Sequence, residues 1–152
     1  MHSIHLTYVI TPFLAWVLAG LCKFLCNSWR SKKWAFGLIG YGGFPSNHSS
    51  IVASMVGLIA IRDGFSSPAL GVAITLAFIV ILDAGSLRRQ IGRQAESINK
   101  LANQANLFFQ LRERIGHTKS EIFGGMVLGL FVGCFMGWGS CISWPACFDK
   151  SC

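Results

Sequence analysis

The chain is 152 residues long, 53% hydrophobic and only 12% charged, with a mean hydropathy of +0.54, whereas a water-soluble domain carries about 25% charged residues. That balance excludes a soluble globular domain, an intrinsically disordered segment, a disulfide-stapled secreted module and a DNA-binding domain. The net charge of +7 is packed between long uncharged stretches, so one integral-membrane domain over residues 1–152 is expected.

No Asp, Glu, Lys or Arg occurs in Met1–Cys22, Trp34–Ile61, Gly64–Leu82 or Ile122–Phe148, and each stretch can supply the roughly 20 apolar residues of a spanning helix. The first helix is expected from about His5 to Cys26. It has no basic segment ahead of it, so it reads as a retained helix rather than a signal peptide. Trp29 and Arg30 at its end fit an interfacial anchor. Trp34–Phe44 is apolar but rich in glycine, which suits a re-entrant or interfacial segment. A second helix is expected from near Pro45 to Ile61 and a third from Ser67 to Leu82. In Leu87–Leu111 the residues Leu87, Ile91, Ala95, Ile98, Ala102 and Ala105 recur at helical spacing while Arg88, Arg89, Arg93, Glu96 and Lys100 point elsewhere, an amphipathic helix lying on the cytoplasmic face. The fourth span opens near Thr118. Its glycines Gly125, Gly129, Gly133 and Gly137 form a stripe for close backbone packing, open to a neighbouring helix or to a homodimer. The expected class is all-α, a polytopic membrane helix bundle of about four transmembrane helices plus the amphipathic helix.

Lys23–Lys33 carries four bases and no acid, and Asp83–Glu121 carries seven bases against four acids. Both segments follow odd-numbered spans, so they share one side, which the positive-inside rule makes cytoplasmic. Both termini then lie outside. Cys22, Cys26 and Cys134 fall in or beside spans as small apolar groups, while Cys141, Cys147 and Cys152 cluster in the outer tail, where an oxidising compartment permits a disulfide. The Cys and His spacings match no zinc site, so neither metal nor cofactor is expected.

Three polar elements fall at cytoplasmic helix ends. In Gly42-Gly43-Phe44-Pro45-Ser46-Asn47-His48-Ser49-Ser50, Pro45, Ser46 and Asn47 open the second helix, where free N–H groups and the helix dipole make an anion site. In Asp83-Ala84-Gly85-Ser86-Leu87-Arg88-Arg89, guanidinium groups suited to phosphate follow an apolar span; a positive-inside cluster has the same composition. In Gly116-His117-Thr118-Lys119-Ser120-Glu121, Thr118 and Glu121 form a capping box, and Glu121 is also placed to accept the His117 N–H and hold the other ring nitrogen forward as a base or nucleophile. Two histidines among several cations point to phosphoryl transfer without a metal. One imidazole would attack phosphorus and the other would protonate the leaving oxygen.

GGFPSNHSS, DAGSLRRQIGRQA with Asn99 beyond it, and IGHTKSEIFGG resemble, in order and spacing, the three blocks of the divergent branch of the type 2 phosphatidic-acid phosphatase superfamily, the acid phosphatase / vanadium-dependent haloperoxidase-related proteins. The resemblance covers about Lys23 to Gly129. It implies a helical bundle working through a phosphohistidine intermediate, with His117 as nucleophile, Glu121 in place of the usual aspartate as its orienting partner, and His48 as general acid. Pro45-Ser46-Asn47-His48 stands for the motif usually written PSGH, so Ser46 and Asn47 would hold phosphate. Lys23 and Arg30 match the first motif, with Ser31 replacing its proline. Leu111 stands where the third motif usually has an arginine, so Arg88 and Arg89 take over that work in this reading.

The function implied is an integral-membrane lipid phosphatase, metal-independent and free of cofactors, hydrolysing a phosphate monoester or diphosphate of a phospholipid or polyprenyl lipid on the cytoplasmic face. The alternative is a non-catalytic membrane protein that binds or transports phosphorylated lipids with the same cations. The partners expected are the lipid phosphate, the bilayer and, through the glycine stripe, a second copy; nucleic acid is not among them.

Overall fold

The computed structural model describes residues 6–32, 43–113 and 115–142, all-helical with irregular connections. The helices are α1 (Leu6–Ser31), α2 (Asn47–Arg62), α3 (Pro68–Leu82), α4 (Arg88–Gln104) and α5 (Lys119–Ile142), and a π-helical turn, Asp83–Leu87, joins α3 to α4. The glycine-rich Trp34–Gly42 and the tail cysteines Cys147 and Cys152 lie outside the described residues, as do the side chains of Arg30 and Cys141.

Local signals set the helix ends. Ser46 caps α2, its hydroxyl accepting the Ser49 N–H at 3.4 Å; Gly64, at a φ of +81°, turns the chain in a conformation that favours glycine; Ser67 and Pro68 open α3.

α2 is the centre of the bundle. It packs most extensively on α5 and also touches α1 and α3. The glycine stripe of α5 makes the main interface. A Cβ added at Gly129 would stand 2.2 Å from the Ser50 carbonyl oxygen, and one at Gly133 would stand 2.0 Å from that of Ser54. Of the two uses expected of the stripe, packing on a neighbouring helix is the one seen, and the neighbour is α2 of the same chain. Across from it, the buried serines satisfy themselves within α2: the Ser50 hydroxyl donates to the Ser46 carbonyl at 2.9 Å and that of Ser54 to the Ile51 carbonyl at 2.7 Å. Hydroxyls bonded back to their own helix leave a smooth surface for glycine.

Large side chains face outward. Phe13, Trp16, Phe78, Phe131 and Phe135 are all more than half exposed, while Ala15, Ala19 and Ala53 are buried. This inverts the water-soluble pattern and suits lipid as the surrounding solvent.

Three described helices are long and apolar enough to cross a membrane: Leu6–Trp29, Pro68–Gln104 and Lys119–Gly139. The expected second span is the short helix α2, whose 16 residues extend about 24 Å against a hydrocarbon core of about 30 Å. The segment expected as a separate surface helix is continuous with the third span. The π-helical turn carries α3 into α4 without a break, as one helix of 37 residues, because Asp83–Leu87 contains no proline and only one glycine to stop it. The side of α4 packed against the protein is Gly92, Ala95, Asn99 and Ala102, and Leu87, Ile91 and Ile98 are exposed.

At the end of the bundle remote from the polar motifs, the Tyr8 hydroxyl donates to the Asp63 carboxylate and the Arg62 guanidinium lies 4.9 Å over the Tyr8 ring. This latch joins the start of α1 to the end of α2.

Candidate functional site

Antiparallel packing brings the C-terminal part of α1, the start of α2, the α3–α4 junction and the start of α5 to one end. Backbone hydrogen bonds then set the three polar motifs in register. The Ser46 N–H donates to the Glu121 carbonyl at 2.9 Å, and the His117 N–H donates to the Ala84 carbonyl at 3.2 Å. The Ser46 motif is thus tied to the His117 motif, and the His117 motif to the α3–α4 junction.

His117 is buried, at 8% exposure. Its Nδ1 lies 3.2 Å from Glu121 Oε2, and the same oxygen accepts the Thr118 N–H at 3.0 Å while the Thr118 hydroxyl accepts the Glu121 N–H at 3.3 Å. One carboxylate therefore caps α5 and orients the imidazole, as both sequence readings of Glu121 expected. A carboxylate on Nδ1 selects the tautomer with its proton there and leaves the Nε2 lone pair outward.

His48 stands across from it, the two ring centres 6.1 Å apart and the planes tilted by 55°. At that separation both rings can touch one phosphoryl group. Arg88 Nη2 is 3.4 Å from His48 Nε2, and since a guanidinium only donates, this ring nitrogen is the acceptor. His48 Nδ1 and Asn47 Oδ1 are buried without a hydrogen-bond partner, an unfilled polar demand at the mouth of α2. Burial holds His48 below its ordinary value of 6.5; the positive charges of Arg88, His117 and Lys23 push the same way, and Asp83 opposes them.

Lys23, half-buried on α1, lies within electrostatic range of His48 and Glu121. Arg30 is seven residues further along the same helix. Ser46 is fully buried and serves as the cap of α2. Arg89 follows Arg88 but is exposed; of the two arginines, Arg88 is the one placed on His48. His117, His48, Glu121, Ser46, Asn47, Lys23 and Arg88 thus gather at one end of the bundle, with Arg89 on its outside.

Sequence reading gave no individual role to three residues of this end, Asn27, Asp83 and Asn99. Asn27, one turn beyond Lys23, lies against Gly43: a Cβ there would stand 3.2 Å from Asn27 Oδ1 and 3.4 Å from Lys23 Cγ. Asp83 Oδ2 accepts from Arg88 Nε at 3.1 Å. Asn99 Nδ2 donates to the Leu111 carbonyl and to Glu113 Oε1, each at 2.8 Å, and its Oδ1 accepts the Leu111 N–H at 2.7 Å. These bonds clamp the connection that leads to His117. The spacing of Lys23 and Asn27 was a usable signal, since residues four apart share a helix face.

Comparison with known proteins agrees with this architecture. The model of a family described as the divergent PAP2 family matches residues 4–132. The uncharacterized membrane protein YuiD of Bacillus subtilis (strain 168) is 31% identical over 141 residues, which cover 82% of this chain and 89% of that protein. No solved structure matches the chain.

Proposed function

The chain belongs to the divergent PAP2 family and is an integral membrane protein, and from its site we propose that it is a metal-independent phosphatase acting on a lipid phosphate monoester or diphosphate. The observation that carries this reading is the meeting of two histidines at 6.1 Å, one held by a partly buried carboxylate and the other beside an arginine. His117 Nε2 attacks phosphorus, forming the phosphohistidine as the bond to the leaving oxygen breaks. His48 gives that oxygen its proton. A water then attacks the phosphohistidine, losing its proton to His48, and inorganic phosphate leaves. Arg88, Lys23 and the N–H groups at the start of α2 offset the charge on the equatorial oxygens, with Arg30 and Asn47 completing the phosphate-binding set and Ser46 capping the helix that presents those N–H groups.

The location supports a lipid substrate. The cations lie at one end of the bundle, where a head group reaches them while its acyl or prenyl chains stay in the bilayer. The positive-inside bias of Lys23–Lys33 and Asp83–Glu121 makes that end cytoplasmic. A homodimer, if formed, uses a face other than the glycine stripe.

The test is phosphate release by the purified protein in detergent from a panel of phosphatidate, lysophosphatidate and polyprenyl phosphates and diphosphates. Release is expected in EDTA and is expected to be blocked by orthovanadate. His117→Ala and His48→Ala should each cut it by at least about a hundredfold. Near-normal release by His117→Ala would remove the nucleophile assignment, and loss of activity in EDTA restored by magnesium would replace the mechanism with a metal-dependent one. Binding of lipid phosphate with no turnover would favour the carrier reading.

A further inference from the structure

Asp83 and Arg88 are five residues apart, a spacing that an α-helix places about 140° apart around its axis. They nevertheless meet, with Arg88 Nε 3.1 Å from Asp83 Oδ2. The cause is the π-helical turn between them. In it the Arg88 N–H donates to the carbonyl of Asp83 itself, an i→i+5 bond that brings the fifth residue round to the face of the first. With Nε engaged by the carboxylate, the guanidinium plane is fixed, and its Nη2 edge is the one that lies 3.4 Å from His48 Nε2.

The turn is itself held in place. Ala84 is buried at 1% exposure, and its carbonyl accepts the His117 N–H. Gly85 backs onto Ile122, where a Cβ would stand 3.3 Å from Ile122 Cδ1, and Gly116, at a φ of +101°, brings the His117 loop so close that a Cβ there would stand 3.1 Å from the Arg89 nitrogen. The same turn that aims the arginine therefore anchors the loop of the second histidine. Each partner of the ion pair is about a third exposed, at 37% and 36%, so its attraction in water is small, and its effect lies in choosing one orientation for a long side chain.

We infer that the π-helical turn Asp83–Leu87 is the aiming device of the phosphate site, and that Asp83 is a positioning residue that acts on phosphate only through Arg88. The inference rests on the phosphatase reading above. The sequence reading gave the phosphate to both Arg88 and Arg89; the turn selects the first, because only it shares a face with the aspartate.

The experiment is a double-mutant cycle read by orthovanadate binding to the full chain in detergent, with thermal unfolding recorded for every variant. Asp83→Ala is expected to weaken vanadate binding by about fivefold, the most that an exposed ion pair commonly contributes, and Asp83→Glu to recover most of that loss. Arg88→Ala should weaken it more. In the Arg88→Ala background, Asp83→Ala should add almost nothing, since a residue acting through another has no effect once that other is gone. An Asp83→Ala variant that binds vanadate like the wild type, or a loss that persists undiminished without Arg88, overturns the inference while leaving the phosphatase reading intact. A wild-type chain that neither binds vanadate nor releases phosphate overturns both.

Discussion

Two histidines in nearly the same place have opposite surroundings. His117 has a carboxylate on one nitrogen; His48 faces cations and is held below its ordinary 6.5 by burial first and by Arg88, His117 and Lys23 next. His48 stands at the first turn of α2, outside the three long apolar helices. In the free protein it is therefore neutral at pH 7, and the proton it must donate is available only on the acidic side. The expected pH profile of kcat/KM falls on its alkaline limb below about 6.5, because that ratio reports the free enzyme, while the limb of kcat lies higher, because a bound phosphate anion favours the imidazolium. Equal limbs in the two profiles would mean that His48 does not contact the phosphate. Stability has the corresponding sign. The contribution of His48 is fully present above 6.5 and is lost as pH falls below it, where the unfolded chain takes up the proton first. His48→Gln should flatten that part of the stability curve. Of these residues, the His117–Glu121 pair was legible in the sequence, because the Thr118–Glu121 capping box turns the carboxylate back over the residues that precede α5. Asp83–Arg88 was not, because its contact depends on a π-helical turn that no spacing rule anticipates, and the Asn99 clamp depends on where an irregular connection folds back.

The helices themselves were legible in outline, since the absence of charge over the length of a span leaves few alternatives. Their ends fell within a few residues of expectation except for α1, which runs to Ser31 because nothing after Cys26 breaks a helix, and α4, which stops at Gln104 rather than Leu111. What sequence alone did not settle was which element would be central. The serines of α2 looked like a cap and a phosphate loop, yet Ser50 and Ser54 are also the smooth surface on which α5 packs. The glycine stripe is accordingly the most sensitive part of the bundle. Gly133→Ala puts a methyl group 2.0 Å from the Ser54 carbonyl, so the helices must separate, at a cost of about 1–3 kcal/mol. Gly71→Ala on α3, which meets nothing within 4 Å, should leave stability unchanged or raise it by up to about 1 kcal/mol through helix propensity. Thermal unfolding in detergent distinguishes the two. A Gly133→Ala variant as stable as Gly71→Ala would mean that α2 and α5 do not pack as described. The same substitution should also lower phosphate release, because the Ser46–Glu121 backbone bond at the head of this interface sets the distance between the two histidines.

At the scale of the whole molecule, charge and polarity are divided between two ends. The Tyr8–Asp63 bond and the Arg62–Tyr8 stacking close one end, where Arg62 and Asp63 offset each other in charge. The other gathers Lys23, Arg88, Arg89 and Lys119 around the histidines. Because the cations proposed to bind phosphate also count toward the positive-inside bias, the orientation of the chain calls for a measurement independent of charge. Exposed positions are available at both ends: Ser66 in the turn between α2 and α3, and Gln110 in the connection between α4 and α5. In a cysteine-free background, an impermeant maleimide applied to intact cells is expected to label Ser66→Cys, and to label Gln110→Cys only after the membrane is permeabilised. Both substitutions lie away from the histidines, so phosphate release measured on the same variants confirms that the labelled molecules are folded. The reverse labelling pattern would turn the bundle over and place the histidines against the outer leaflet. The chemistry would be unchanged, but the substrate would then be a lipid phosphate presented from outside the cell.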